Sequence, residues 1–234
     1  MKKCDHCTHN LCAKKVPIFA YLSENELIKI VNMTGNRKIH KGDVILREGE
    51  TSSILYIINE GKIKLSKITK AGKEQIVHIL SHGDFFGEMN LFIANSSNNY
   101  NAVAITDANL CTLSKIDLEK LLLEFPNISL KILQEISKRL QDTENLAQTL
   151  ATNDVEIRIA YMIGEFMDKY GVNTKKGIKI ECPLSREEMA NYTGVSRETI
   201  SRKLKKFENL GIIELIGNKI ILIKDEEILR TYLT

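Results

Sequence analysis

The stretch SREEMANYTGVSRETISRKLKKF, residues 185–207, decides the reading of this chain. Ser185 with Glu188 three residues later is a capping box, so a helix is expected over Ser185–Tyr192. Thr193-Gly194-Val195 interrupts it where a sharp helix–helix turn needs a permissive backbone, and a second helix is expected over Ser196–Leu210. In that helix Ile200, Leu204 and Phe207 recur as a buried stripe, leaving Arg197, Glu198, Ser201 and Arg202 on adjoining parts of one face. After Gly211, the runs Ile212–Ile216 and Lys219–Ile223 flank Gly217-Asn218, which reads as a β-hairpin. With a helical segment at Asp154–Tyr170 ahead, three helices and a two-stranded wing make a winged helix-turn-helix.

Charge supports a groove-entering element. Residues 197–206 carry five cations and one anion, whereas residues 154–234 carry 14 basic and 13 acidic side chains, so basicity is local to this helix. Arg is the best partner for guanine O6 and N7, and Glu can accept from cytosine N4. Arg197, Glu198, Ser201 and Arg202 are therefore assigned to bases, and Arg186, Ser196 and Thr199 to phosphate. A merely solvated charged helix is the plain alternative. The turn, the capping box and the wing weigh against it together.

Upstream the pattern is different. Gly42, Gly49, Gly61, Gly72, Gly83 and Gly87 punctuate short β-rich runs at Val44–Leu46, Ile54–Ile58, Lys62–Ile68 and Glu74–Leu80. Ala102–Ile105 and Asn109–Leu113 add two more, and the set suggests a jelly-roll β-barrel. A helix at Ser23–Val31 precedes it, capped by Ser23 and Glu26, and Asn95–Asn101 reads as a loop. From Pro126 the period becomes helical. Leu133, Ile136, Leu140, Thr143, Ala147 and Leu150 follow one another at spacings of 3, 4, 3, 4 and 3, a heptad seam that suits a dimer interface. Packing of the seam on the chain's own barrel is the alternative.

The whole chain has 234 residues, 33 Lys+Arg against 30 Asp+Glu for a net charge of +3, and 43% hydrophobic residues. That is enough apolar material for real cores and argues against wholesale disorder. No apolar run reaches the ~18 residues of a membrane span. Lys2 and Lys3 are followed by no apolar run of a secretory signal, so the protein is expected to be soluble and cytoplasmic, with no membrane partner. Five cysteines do not read as a disulfide scaffold; Cys4, Cys7 and Cys12 crowd together, while Cys111 and Cys182 stand alone. Three close thiols suit soft metal ligands or a redox pair. His40, His78 and His82 form no His-x-His pair, and no nucleophile–base constellation is evident, so the chain is not read as an enzyme.

These motifs resemble those of the CRP/FNR family of bacterial transcription regulators over roughly residues 20–225. The resemblance is carried by Lys41-Gly42-Asp43, Arg47-Glu48-Gly49-Glu50, Leu55-Tyr56-Ile57-Ile58-Asn59-Glu60-Gly61, Gly83-Asp84-Phe85-Phe86-Gly87-Glu88, Glu156-x-Arg158-Ile159-Ala160 and Ser196-Arg197-Glu198-Thr199-Ile200-Ser201-Arg202. It implies an α+β protein: a β-barrel like the cyclic-nucleotide-binding jelly roll, a long dimerisation helix and a C-terminal winged helix-turn-helix. The expected parts are a cysteine-rich sensor segment (1–19), the barrel (20–125), the dimerisation helix (126–153) and the DNA-binding domain (154–234). The partners implied are a second copy, double-stranded operator DNA and RNA polymerase. Glu198-x-x-Ser201-Arg202 resembles the reader of a TTGA core, and Arg197 adds the guanine contact of TGTGA-like half-sites.

Cyclic-nucleotide-binding members follow Gly87-Glu88 with an Arg-Ser or Arg-Thr pair about ten residues on; here that stretch is Asn98-Asn99-Tyr100-Asn101-Ala102, with no Arg or Lys between Phe92 and Leu113. A buried phosphate without a cation is poorly compensated, which points away from cyclic AMP. In the FNR-like branch an N-terminal cysteine cluster and one barrel cysteine hold a [4Fe–4S] cluster, and Cys4, Cys7, Cys12 and Cys111 resemble that set. The second gap is four residues, Thr8–Leu11, where five are expected. Three alternatives stay open: Zn²⁺ or Cu(I) with His6 and His9, a disulfide from Cys4 or Cys7 to Cys111 with no cofactor, or an inert Cys111 buried in its strand.

Overall fold

The computed structural model describes residues 14, 16–20, 22–93, 95–152 and 154–232. It divides into two compact units, residues 1–67 with 77–141 and residues 68–76 with 142–234.

A short 3-10 turn at Pro17–Phe19 opens the first unit and leads into α1, Glu24–Met33. The expected capping box is present: Ser23 N donates to Glu26 Oε2 at 2.7 Å and Ser23 Oγ at 2.6 Å. Eight strands follow: β1 Gly35–Ile39, β2 Val44–Leu46, β3 Ile54–Glu60, β4 Ile63–Ile68, β5 Glu74–Leu80, β6 Phe85–Phe86, β7 Asn101–Ala104 and β8 Ala108–Ser114. They form two four-stranded sheets, β1-β8-β3-β6 and β2-β7-β4-β5. The sheets do not close into the expected barrel, because β1 and β6 end one sheet while β2 and β5 end the other; the jelly roll is a sandwich.

The sheet β1-β8-β3-β6 is buried on both faces, which explains the unbroken apolar run of β3. Tyr56 and Ile58 face the cluster shared with Ile63, Leu65, Phe86 and Leu110. Leu55 and Ile57 face a second cluster with Phe85 and Leu113, filled by Val16, Ile18, Phe19 and Leu22 of the N-terminal segment and by Leu27 and Ile30 of α1. The short α2, Met89–Phe92, and α3, Lys115–Glu124, complete the cover. Ser114 caps α3 by accepting from Asp117 N at 3.2 Å, a helix start that the periodicity reading passed over.

The long helix α4 runs from Pro126 to Ala151. Its early Ile128 and Ile132 are buried in the second cluster. The seam residues Leu133 and Leu140 point away from any core, 63% and 59% exposed, while Ile136 packs partly against it.

In the second unit α5, Val155–Tyr170, is followed by a hairpin absent from the sequence reading, β9 Gly171–Thr174 and β10 Gly177–Glu181. Then come α6 Arg186–Thr193, α7 Arg197–Asn209, β11 Ile213–Ile216, β12 Ile220–Ile223 and a terminal α8 Glu226–Thr231. The wing strands join the hairpin in one sheet, β11-β12-β10-β9. Among the described residues no helix is long and apolar enough to cross a membrane.

Candidate functional site

The helix pair α6–α7 is built as its sequence requires. Ser185 caps α6 through Glu188 N at 3.3 Å, and Glu188 answers by accepting from Ser185 N at 2.9 Å. Gly194 closes α6 with φ +66°, the left-handed conformation that a side chain would strain. Arg158 of α5 braces this turn by donating from Nη1 to the Thr193 carbonyl at 3.2 Å. Ser196 then caps α7 by accepting from Thr199 N at 3.2 Å.

The buried stripe of α7 is the expected one, Ile200, Leu204 and Phe207. Ser196, Arg197, Glu198, Ser201 and Arg202 are exposed together at the helix start, and Thr199 is half-buried beside them. Ser201 Oγ donates to the Arg197 carbonyl at 3.1 Å, which still leaves its lone pairs for a base or a water. The Glu198 carboxyl is held below the usual carboxylate range by its own backbone amide, then by Ser196, so it is ionised at the helix N-terminus. Arg186 stands apart on α6: it is half-buried, and Nη1 lies 3.4 Å from Met189 Sδ.

The five cations of this stretch do not act alike. Lys203 and Lys206 pair with Glu156 of α5 at 2.5 and 2.6 Å, and Lys205 pairs with Glu208 at 2.7 Å. Arg197 and Arg202 enter no ion pair among the described residues. Both guanidinium groups, the side chains best suited to guanine, therefore project from the start of α7.

Of the sensor cysteines, Cys4, Cys7 and Cys12, with His6 and His9, lie outside the described residues. Cys111 is half-buried in the middle of β8, opposite Asn36 of β1 and Ile57 of β3. Its side chain packs on the second core cluster and lines a narrow apolar cleft with Val16, Phe19, Ile30 and Ile57. Cys182 is buried at the end of β10, and its amide donates to the Lys219 carbonyl at 2.7 Å. Among the described residues no group of three or more His, Cys, Asp or Glu is placed to hold a metal ion.

Sequence reasoning missed a buried guanidinium beside Glu88. Arg139 of α4 donates to Glu88 Oε1 at 3.0 Å and to the Phe85 carbonyl at 2.7 Å, with its guanidinium 5.1 Å from the Phe85 ring centre. The cation comes from a helix 51 residues away in sequence, beyond the reach of a motif search. Tyr100 sits against the same corner: its Oη accepts from Gly87 N at 3.0 Å, and burial pushes the hydroxyl well above its usual pKa. Asn98 is used to close a loop, donating to the Arg47 carbonyl at 3.2 Å while its backbone bonds Gly49 and Glu50.

Residues 36–125 match the cyclic nucleotide-binding domain family, and residues 157–232 match the Crp-like helix-turn-helix domain family. The chain is 29% identical over 216 residues to the probable transcriptional regulator flp of Lacticaseibacillus casei, covering 92% of this chain and 95% of that protein. It is 30% identical over 187 residues to the CRP-like cAMP-activated global transcriptional regulator of Mycobacterium tuberculosis, covering 80% and 83%. Among solved structures, a CooA variant from Carboxydothermus hydrogenoformans superposes with a TM-score of 0.77 at 21% identity, over 88% of this chain and 90% of the other.

Proposed function

The chain belongs to the CRP/FNR family of DNA-binding transcription regulators, and we propose that it senses oxygen or redox state through Cys4, Cys7, Cys12 and Cys111. The observation that carries this reading is the position of Cys111, whose side chain packs on the core filled by Val16, Ile18 and Phe19. Cys12 precedes Val16 by four residues, a span of at most ~13–14 Å, so chain length allows the N-terminal thiols to meet β8. Four thiolates are the donor set of a [4Fe–4S] cluster, and Cys111 offers its thiol from a half-buried position beside the N-terminal segment. When bound, such a cluster supplies oxygen-labile chemistry at these four residues.

The rest of the device is protein. Val16, Ile18, Phe19 and Leu22 share one core with Ile128 and Ile132, so the way the N-terminal segment is held acts on the first turns of α4. Leu133 and Leu140, seven residues apart and exposed in the single chain, support pairing of two copies along α4. The pair then presents two α7 helices to a two-fold operator in double-stranded DNA, in the cytoplasm, where RNA polymerase is the further partner.

Anaerobic reconstitution with iron and sulfide tests the sensor. A brown protein with about four iron atoms per chain is expected, and Cys111→Ser should lose it. A colourless protein with all four thiols open to alkylation would overturn the cluster and leave a thiol–disulfide switch at the same residues. Stoichiometric Zn²⁺ or Cu(I) would instead assign the metal alternative.

A further inference from the structure

Glu156 is the second residue of α5, and Oε1 of its side chain accepts from two lysines of α7 at once: Lys203 Nζ at 2.5 Å and Lys206 Nζ at 2.6 Å. The carboxylate is only 14% exposed, so it is committed to these two ammonium groups rather than to water. Lys206 lies four residues beyond Arg202, hence on the same side of α7, and Lys203 adjoins it. A lysine so placed on a reading helix would ordinarily meet the phosphate backbone, which gives affinity without sequence information. Lys205 is likewise drawn to Glu208. The pairing therefore separates the cations of α7 into three lysines engaged within the protein and two projecting arginines.

We propose that Glu156 is a specificity-determining residue, which withholds Lys203 and Lys206 from DNA phosphates and leaves recognition to Arg197 and Arg202. This rests on α7 being the element that reads the operator. With both lysines on phosphates, binding to any duplex would strengthen and the margin for the correct sequence would narrow. With both on Glu156, sequence-independent attraction is lowered and the base contacts decide.

The test is a salt titration of the full-length protein on two duplexes: one selected by the protein from a random pool, and a random-sequence duplex of equal length. Glu156→Gln should tighten binding to the random duplex and lower the specific-to-random ratio. Each lysine released to a phosphate should steepen the slope of log K against log salt by about 0.9, or about 3.5-fold in affinity between ~50 and ~200 mM salt. Adding Lys203→Gln and Lys206→Gln to that variant should return the slope to its original value. If Glu156→Gln left the random-duplex affinity and slope unchanged, or weakened both duplexes in equal proportion, the proposal would be overturned and the carboxylate would be a fastener between α5 and α7. Lys206→Gln keeps the proposal open to refutation even if Glu156→Gln fails to fold: it should leave the slope unchanged, and a slope shallower by ~0.9 would place Lys206 on phosphate already and overturn the proposal. Arg202→Ala serves as the control for the underlying reading. If that variant kept its sequence preference, α7 would not be the reader, whatever Glu156 does.

Discussion

Arg139 of α4 donates from Nη1 to Glu88 Oε1 at 3.0 Å, joining that helix to the residue that precedes α2 in a setting where the two side chains are only 16% and 11% exposed. Phe85 completes the junction, because its carbonyl takes Nη2 and its ring sits under the guanidinium. Phe85 also belongs to the core that holds Val16 and Phe19. A physical path thus runs from the N-terminal segment through Phe85 to the middle of α4. Glu88 Oε2 is buried without a hydrogen-bond partner among the described residues, so the carboxylate depends on Arg139. Arg139→Ala should therefore cost about 3 kcal/mol, the penalty of stranding a buried charge. Removing both partners, with Glu88→Gln added, should recover part of the loss. Denaturant melts of the single and double variants check this, and an unchanged midpoint in Arg139→Ala would contradict it.

Arg202 projects from α7 without an ion-pair partner among the described residues, which is the state of a base reader before it meets DNA. Arg202→Ala should weaken the preferred operator by ~1–3 kcal/mol and relax the preference at one base pair, while random-sequence binding changes far less. Competition binding with operators altered one base pair at a time measures both effects.

The seam of α4 can be broken without touching a core. Leu140 is 59% exposed in the single chain, so Leu140→Glu should leave the fold intact and, in the proposed pairing of two copies, place like charges against each other. Sedimentation should show a dimer for the parent protein and a monomer for the variant at micromolar concentration. Thr143, three residues further along the seam, carries no charge, so no like-charge repulsion opposes pairing there. The metal-free parent is accordingly expected to remain dimeric.

Glu156 gives a pH signature. Hydrogen bonds from Lys203, then Lys206, hold its carboxyl below the ordinary value of 4.5. A depressed carboxyl binds fewer protons folded than unfolded, so its contribution is complete above pH 4.5 and is lost as pH falls through the lowered value. Thermal melts of Glu156→Gln should therefore fall less steeply than the parent below about pH 4.5. Parallel curves for the two proteins would remove Glu156 from the acid transition.

Much of this molecule was legible where a local rule carries the information. Ser23 with Glu26 and Ser185 with Glu188 form the capping boxes their spacing announces, and Gly194 adopts the left-handed turn its position demands. β2 to β5 lie between the glycines and β7 and β8 follow them as expected, whereas β1, with one apolar side chain in Gly-Asn-Arg-Lys-Ile, and the two-residue β6 offer too little pattern to be read. β9 escaped because Gly-Val-Asn-Thr is short, exposed and holds one apolar residue, while β10, Gly-Ile-Lys-Ile-Glu, does alternate but over only five residues, of which Ile180 alone is buried. α8 is six residues long and has one buried apolar side chain, Leu229, to mark it. The site was legible as far as helix periodicity reaches: the exposed and buried faces of α7 came out as expected. What a periodic pattern cannot report is long-range pairing. Lys203 meets Glu156 across 47 residues, and Arg139 meets Glu88 across 51. Counting five cations on α7 consequently overstated the charge available to DNA.

Operator affinity before and after controlled exposure to air reads whether the state of the four thiols governs α7. The full-length protein, reconstituted anaerobically with iron and sulfide, is titrated against its selected operator, and the titration is repeated after oxygen has been admitted. The affinity of the parent protein should change by about tenfold or more, and that of Cys111→Ser not at all, its two curves coinciding. Equal operator affinity for the anaerobic and air-exposed parent, with sequence preference intact in both, would contradict that control by the thiols.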